Sequence, residues 1–182
     1  MKRIQDKVKD IVTVRKCLVI QDFSGDPAQT LESYHFTDAT SELMTKGLDR
    51  AAGMYDGRGS TVALAGYRGV GKSHFMAVFA ALTGSPELRT KVSDSHVAAG
   101  AQGLLRRRYP IIQVRRGTEP TLLDEVRTAF ASALGVPPAE IQADVNTILQ
   151  AGRRKFGDMP IILLIDTAIE RIERVSRNDG PL

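Results

Sequence analysis

Three short apolar runs punctuate the chain: Thr61–Ala65, Tyr109–Val114 and Ile161–Ile165. They are rich in β-branched residues and bounded by Gly, Pro or charge, the pattern of strands buried in a parallel sheet. Between them apolar residues recur at helical spacing. A helix is expected from a cap at Thr37 or Asp38 to about Gly53, with Leu43, Gly47, Leu48, Ala51 and Ala52 on its apolar face. His74–Leu82 is apolar nearly all round and is stopped by Gly84 and Pro86. Residues 85–105 read as one helix plus loop. Thr118-Glu119-Pro120 opens a helix with Leu122, Val126, Phe130 and Ala133 in its stripe and Gly135 at its end. Pro137-Pro138 opens another, with Ile141, Val145, Ile148 and Leu149 on one face, running to about Phe156. Residues 11–20 carry one or two further strand-like runs, and Ser24–Pro27 reads as a turn. Alternating strands and helices predict an α/β fold, mainly parallel, with ligands bound beyond the carboxyl ends of the strands.

The segment between the first run and its helix changes the picture. Gly66-Tyr67-Arg68-Gly69-Val70-Gly71-Lys72-Ser73 has the form G-x-x-x-x-G-K-S, a phosphate-binding P-loop. Its glycines let the backbone turn its N–H groups toward phosphate oxygens, and the following helix adds the positive end of its dipole. Lys72 supplies a point charge for the β- and γ-phosphates, and Ser73 a hydroxyl for Mg²⁺. The expected nucleotide contacts are Gly66, Tyr67, Arg68, Gly69, Val70, Gly71, Lys72, Ser73 and His74. A solvated Arg68 fits the loop better than one on a phosphate, and His74 suits packing on the helix better than catalysis.

The third run ends at Asp166, the Walker B form, in which a carboxylate holds Mg²⁺ opposite the P-loop serine. Many hydrolysing ATPases follow this Asp with Glu to orient the attacking water; here Thr167 follows, and the nearest carboxylate is Glu170. Lys72 and Glu170 are the candidate catalytic pair. Glu119, Asp124 and Glu125 are further acids, each commoner as a helix-surface group than as a base. Phosphate and Mg²⁺ binding follow well from the sequence, and hydrolysis by this segment alone follows poorly. Slow or partner-assisted turnover is therefore expected.

Composition narrows the setting. The chain has 182 residues, 42% hydrophobic and 25% charged, which suits one globular domain with a core. Cys17 is the only cysteine, so an intramolecular disulfide and a multi-cysteine metal site are excluded. With no run long enough to span a membrane and no signal-like start, a cytoplasmic protein is expected. The net charge is +4, with clusters at Arg106–Arg108, Arg115-Arg116, Arg153–Lys155 and Arg171/Arg174/Arg177. A nucleic-acid or phosphate-rich partner would suit them. Solvated strand and helix ends suit them better, since no aromatic residues interleave as a stacking platform needs. Arg115 and Arg116 are arginine-finger candidates by charge alone.

Two segments are expected: an N-terminal strand and loop segment, 1–36, and a P-loop nucleotide-binding domain, 37–182. Only three clear core strands fall in the second, and the sequence stops soon after Asp166. The expectation is an incomplete sheet belonging to a longer protein or a truncated product.

From about Tyr34 onward the chain resembles the N-terminal ATPase segment of large bacterial phage-defence ATPases of the BREX and phage-growth-limitation type. The residues that carry the resemblance are Tyr34–Asp38, the extended loop Gly69–Val78, Gln113–Thr118 running into Pro120–Glu125, and the strand ending at Asp166. The resemblance implies ATP rather than GTP, a role against phage, and work within a multi-protein complex on DNA. It carries over to Gly66, Gly69, Gly71, Lys72, Ser73 and Asp166. Thr167 departs from the common Asp-Glu pair. Independently, no guanine-reading Asn-Lys-x-Asp occurs, which also favours ATP. Two other readings stay open. One is a small P-loop kinase with Arg106–Arg108 as a phosphate-clamping lid. The other is a nucleotide-binding module that regulates assembly, including self-association, without hydrolysis.

Overall fold

A computed structural model describes residues 25–67 and 69–166. The expectations for residues 11–20, Arg68, Thr167, Glu170 and the Arg171/Arg174/Arg177 cluster lie outside the described residues. The elements run α1 (Pro27–Ser33), α2 (Asp38–Gly53), α3 (Lys72–Gly84), α4 (Ser95–Gln102), β1 (Ile111–Arg115), α5 (Leu122–Leu134), α6 (Val145–Phe156) and β2 (Ile162–Asp166). Short 3-10 turns occupy Met54–Asp56, Pro86–Lys91 and Pro138–Glu140.

The fold is α/β and mostly helical, around a two-stranded parallel sheet. β1 and β2 pair from Ile111↔Ile162 to Arg115↔Asp166. Alternation along each strand sends successive side chains to opposite faces. Ile162 and Leu164 join a core built with Met44, Leu48, Val78, Leu82, Val97 and Leu104, under α1–α4. Ile112 joins Phe130, Ala131, Ile141 and Ile148 on the other face, under α5 and α6. The sheet is thus the middle layer of three.

Helix starts obey local chemistry. Thr37 and Thr40 form a reciprocal capping box at α2, and Asp94, Thr121 and Asp144 cap α4, α5 and α6 through their side chains. Gly135 ends α5 in the left-handed conformation at φ 74°. Among the described residues no helix is long and apolar enough to cross a membrane.

Several expectations are corrected. Thr61–Ala65 joins no sheet, and Val62 is 54% exposed. Val62 and Leu64 are the only large apolar residues between Gly59 and Gly66, little surface to bury against the entropy of ordering the segment. Pro27–Ser33 is helical rather than loop, because Asp26 accepts from the Ala28 N–H and Pro27 sits in the first turn. In α2 Leu48 and Ala51 of the expected face are buried, but Met44 is buried with them while Leu43, Gly47 and Ala52 are only partly covered. Ile141 lies before α6 in a separate turn, and Val145 and Leu149 face solvent. A single helix from Pro137 is excluded because the chain goes extended again at Ile141 and restarts at the Asp144 cap.

Candidate phosphate and metal site

The loop before α3 has the backbone its glycines permit. Gly69 and Gly71 sit at φ 83° and 87°, a region that penalises any residue with a Cβ. Gly66 has a different reason: a Cβ there would lie 3.3 Å from Val70 Cγ2 and 3.9 Å from Lys72 Cδ. Gly71 caps α3 without a side-chain bond, and its carbonyl accepts the first helical N–H, from Phe75 at 2.9 Å. The N–H groups of the first turn therefore have no intrahelical partner. Lys72 folds back over the loop, its Nζ donating to the carbonyls of Gly66 at 2.9 Å and Tyr67 at 2.7 Å. The Tyr67 side chain is 89% exposed, and Val70 is exposed as well.

His74 turns away from the loop. Its Nε2 lies 3.1 Å from the Thr30 carbonyl and 3.3 Å from Ser33 Oγ. A carbonyl only accepts, so the Thr30 contact selects the tautomer protonated on Nε2. The Tyr34 ring packs edge-on against His74, Phe36 and Phe75. α1 is thereby fastened to the start of α3, and the backbone N–H is what His74 presents to the loop.

The other end of α3 fixes its direction. Thr83 accepts from the Tyr109 N–H at 3.3 Å, and a Cβ at Gly84 would lie 3.3 Å from Ile111 Cγ1. The helix ends at the amino end of β1, and Val78 and Leu82 share a core with Ile162 and Leu164. Lys72 and Ser73 therefore stand at the end of α3 remote from the amino end of β1. Asp166 closes β2 at the carboxyl end of the sheet, buried, on the face set by Ile162 and Leu164.

Beside Asp166 lies a feature with no signature in the sequence. Its carbonyl accepts from the Arg116 N–H at 3.2 Å. The Glu125 carboxylate, 3% exposed, accepts from the Gly117 N–H at 2.6 Å and from Arg116 Nη1 at 2.5 Å. Burial pushes the Glu125 carboxyl pKa up, but the Gly117 N–H and the Arg116 guanidinium outweigh it and hold it below the ordinary value. Asp124 accepts from Thr121 Oγ1 at 2.6 Å and pairs with Arg127 at 3.2 Å. Glu119 accepts from Thr128 Oγ1 at 3.3 Å. All three acids of this stretch are thus engaged within their own loop and helix.

Arg106–Arg108 stand just before β1, on the side of the C-terminus of α3 and not of Lys72 at its start. Arg107 lies 4.5 Å over the Tyr55 ring, and Arg108 is 3.5 Å from Glu87. Arg89 is buried nearby and donates to the carbonyls of Leu82, Thr83, Leu105 and Arg107. It closes the C-terminus of α3, where a cation also meets the negative end of the dipole. Nothing in the spacing of the sequence marks Arg89 for this task. No family model, curated protein or solved structure matches the chain.

Proposed function

We propose that this chain binds Mg²⁺-ATP, with the triphosphate on Gly66–Ser73 and the metal between Ser73 and Asp166, as the nucleotide domain of a larger bacterial ATPase. The observation that carries this reading is the backbone of the G-x-x-x-x-G-K-S segment. Gly69 and Gly71 adopt the left-handed conformation and α3 starts at Lys72. A chance Gly-Lys-Ser at an ordinary helix start has no need of that backbone. The loop residues would hold the phosphates through N–H groups and the Lys72 ammonium. Ser73 and Asp166 supply oxygen donors, the ligand type that Mg²⁺ prefers. Bound Mg²⁺ would neutralise charge on the β- and γ-oxygens.

Hydrolysis is proposed as slow or partner-assisted. Glu119, Asp124 and Glu125 are committed to other contacts, and Thr167 stands where many ATPases carry the acid that orients water. A place in phage defence, within a multi-protein complex on DNA, rests on the resemblance of Tyr34–Asp38, Gly69–Val78 and the Asp166 strand alone. The cytoplasm is the proposed location.

The test is calorimetric titration of Mg²⁺-ATP into the wild type and Lys72→Ala. Removing the ammonium is expected to weaken binding at least tenfold, since charge-assisted bonds to phosphate contribute about 1.5–3 kcal/mol each. Equal affinity in the two folded proteins would overturn the assignment of phosphate to this loop.

A further inference from the structure

Glu125 is the most deeply buried carboxylate among the described residues, and the proposed nucleotide chemistry does not use it. Burying a carboxylate is costly, and pairing it with an arginine often only offsets that cost. An apolar residue at this position of α5 would serve packing as well. What the carboxylate supplies is direction. Oε1 holds the Gly117 N–H, at a residue whose φ of 93° turns the chain away from β1. Oε2 holds the Arg116 guanidinium. Arg116, through its own N–H, holds the carbonyl of Asp166 beyond the last register pair, Arg115↔Asp166. A continuous chain of bonds therefore runs from the middle layer's carboxyl edge into α5: Asp166 to Arg116, and Arg116 to Glu125.

We infer that Glu125 is a positioning residue for the metal carboxylate, fixing the backbone of Asp166 through Arg116 so that its side chain is set for Mg²⁺ before nucleotide arrives. The inference rests on the proposed metal role of Asp166. It assigns Glu125 no contact with nucleotide and no proton transfer. Groups that orient a metal ligand from behind typically alter metal affinity by about 10–100-fold when removed.

The experiment compares ATP affinity with Mg²⁺ and with excess EDTA, by calorimetry, in wild type, Glu125→Gln and Asp166→Asn. Gln matches Glu in shape but places an uncharged group against Arg116. Glu125→Gln is expected to lose about tenfold of the Mg²⁺-dependent gain in affinity, with metal-free affinity unchanged. Asp166→Asn is expected to lose the gain entirely. A purely structural Glu125 would move both affinities together or neither, and an intact gain in folded Glu125→Gln overturns the inference. An intact gain in Asp166→Asn would instead remove the metal role of Asp166, and this inference with it. Should Glu125→Gln fail to fold, Arg116→Gln cuts the same link at a half-exposed side chain and leaves the Gly117 bond in place. A selective loss of the Mg²⁺ gain is expected there too, and its absence is equally decisive.

Discussion

At the scale of single residues, the backbone of the loop was open to reading and its supports were not. Gly69 and Gly71 were legible as positions that need a turn-permissive backbone, and both sit at positive φ. Arg89 was not legible, because its four partners come from the end of α3 and from the turn that precedes β1, brought together only by folding. Glu125 was visible as an acid in the first turn of α5 and read as a surface group. Its burial depends on Gly117 turning back over the helix. Arg89→Met should show what such a residue contributes. It leaves several buried carbonyls without a donor, and bonds to charged groups contribute about 1.5–3 kcal/mol each. A loss of at least about 3 kcal/mol is expected in urea unfolding. Protein that remains folded should keep its nucleotide affinity, since Arg89 closes the opposite end of α3 from Lys72.

At the scale of elements, the sequence located helices and strands more closely than it set their ends and inward faces. α5 is a mixed case: Phe130 faces inward and Gly135 ends it as expected, but Thr121 rather than Thr118-Glu119-Pro120 caps it, Ala131 is buried, and Leu122 and Ala133 of the expected stripe are exposed. β1 and β2 were legible because dense β-branched runs find each other as partners. Thr61–Ala65 was misleading because an apolar run specifies a strand only when a ladder and a covering layer exist for it. The stretch from Pro137 misled in another way, since proline and helical spacing suggested one helix where a turn and a helix share the work. Gly152 in α6 was passed over. A Cβ there would lie 2.9 Å from Phe130 Cε1 and 3.2 Å from Ile161 Cδ1, so the glycine sets how closely α6 approaches α5 and the sheet. Gly152→Ala gains up to about 1 kcal/mol of helix propensity, while overpacking costs about 1–3 kcal/mol. A net loss is expected, read as a lower denaturant midpoint with an unchanged slope.

At the scale of the whole molecule, the layered α/β arrangement was legible and the asymmetry of its layers was not. Four helices crowd one face of two strands, and two cover the other, leaving Leu163 42% exposed on β2. Stability should also carry an acid signature of the whole fold. Glu125 is held below its ordinary value of 4.5, and Asp94 and Asp144 at the helix caps are held below 3.8. A depressed pKa means the ionised group stabilises the fold above the unfolded value, and that contribution is lost as pH falls through the lower folded value. Melting temperature should be flat from neutral to about pH 5 and fall below it. Glu125→Gln should start lower and fall less steeply. A wild-type melting temperature that rises on acidification would contradict the sign.

The closed posture of Lys72 has a consequence for how any anion is received. Its ammonium already rests against the carbonyls of Gly66 and Tyr67, so the long side chain has few rotamers left to surrender. Freezing a free lysine costs up to about 2 kcal/mol. Here most of that ordering precedes the ligand, and arrival becomes an exchange of partners. The loop's grip would then be set by how much better a phosphate oxygen is than a peptide carbonyl, a difference that favours multiply charged ligands over neutral ones.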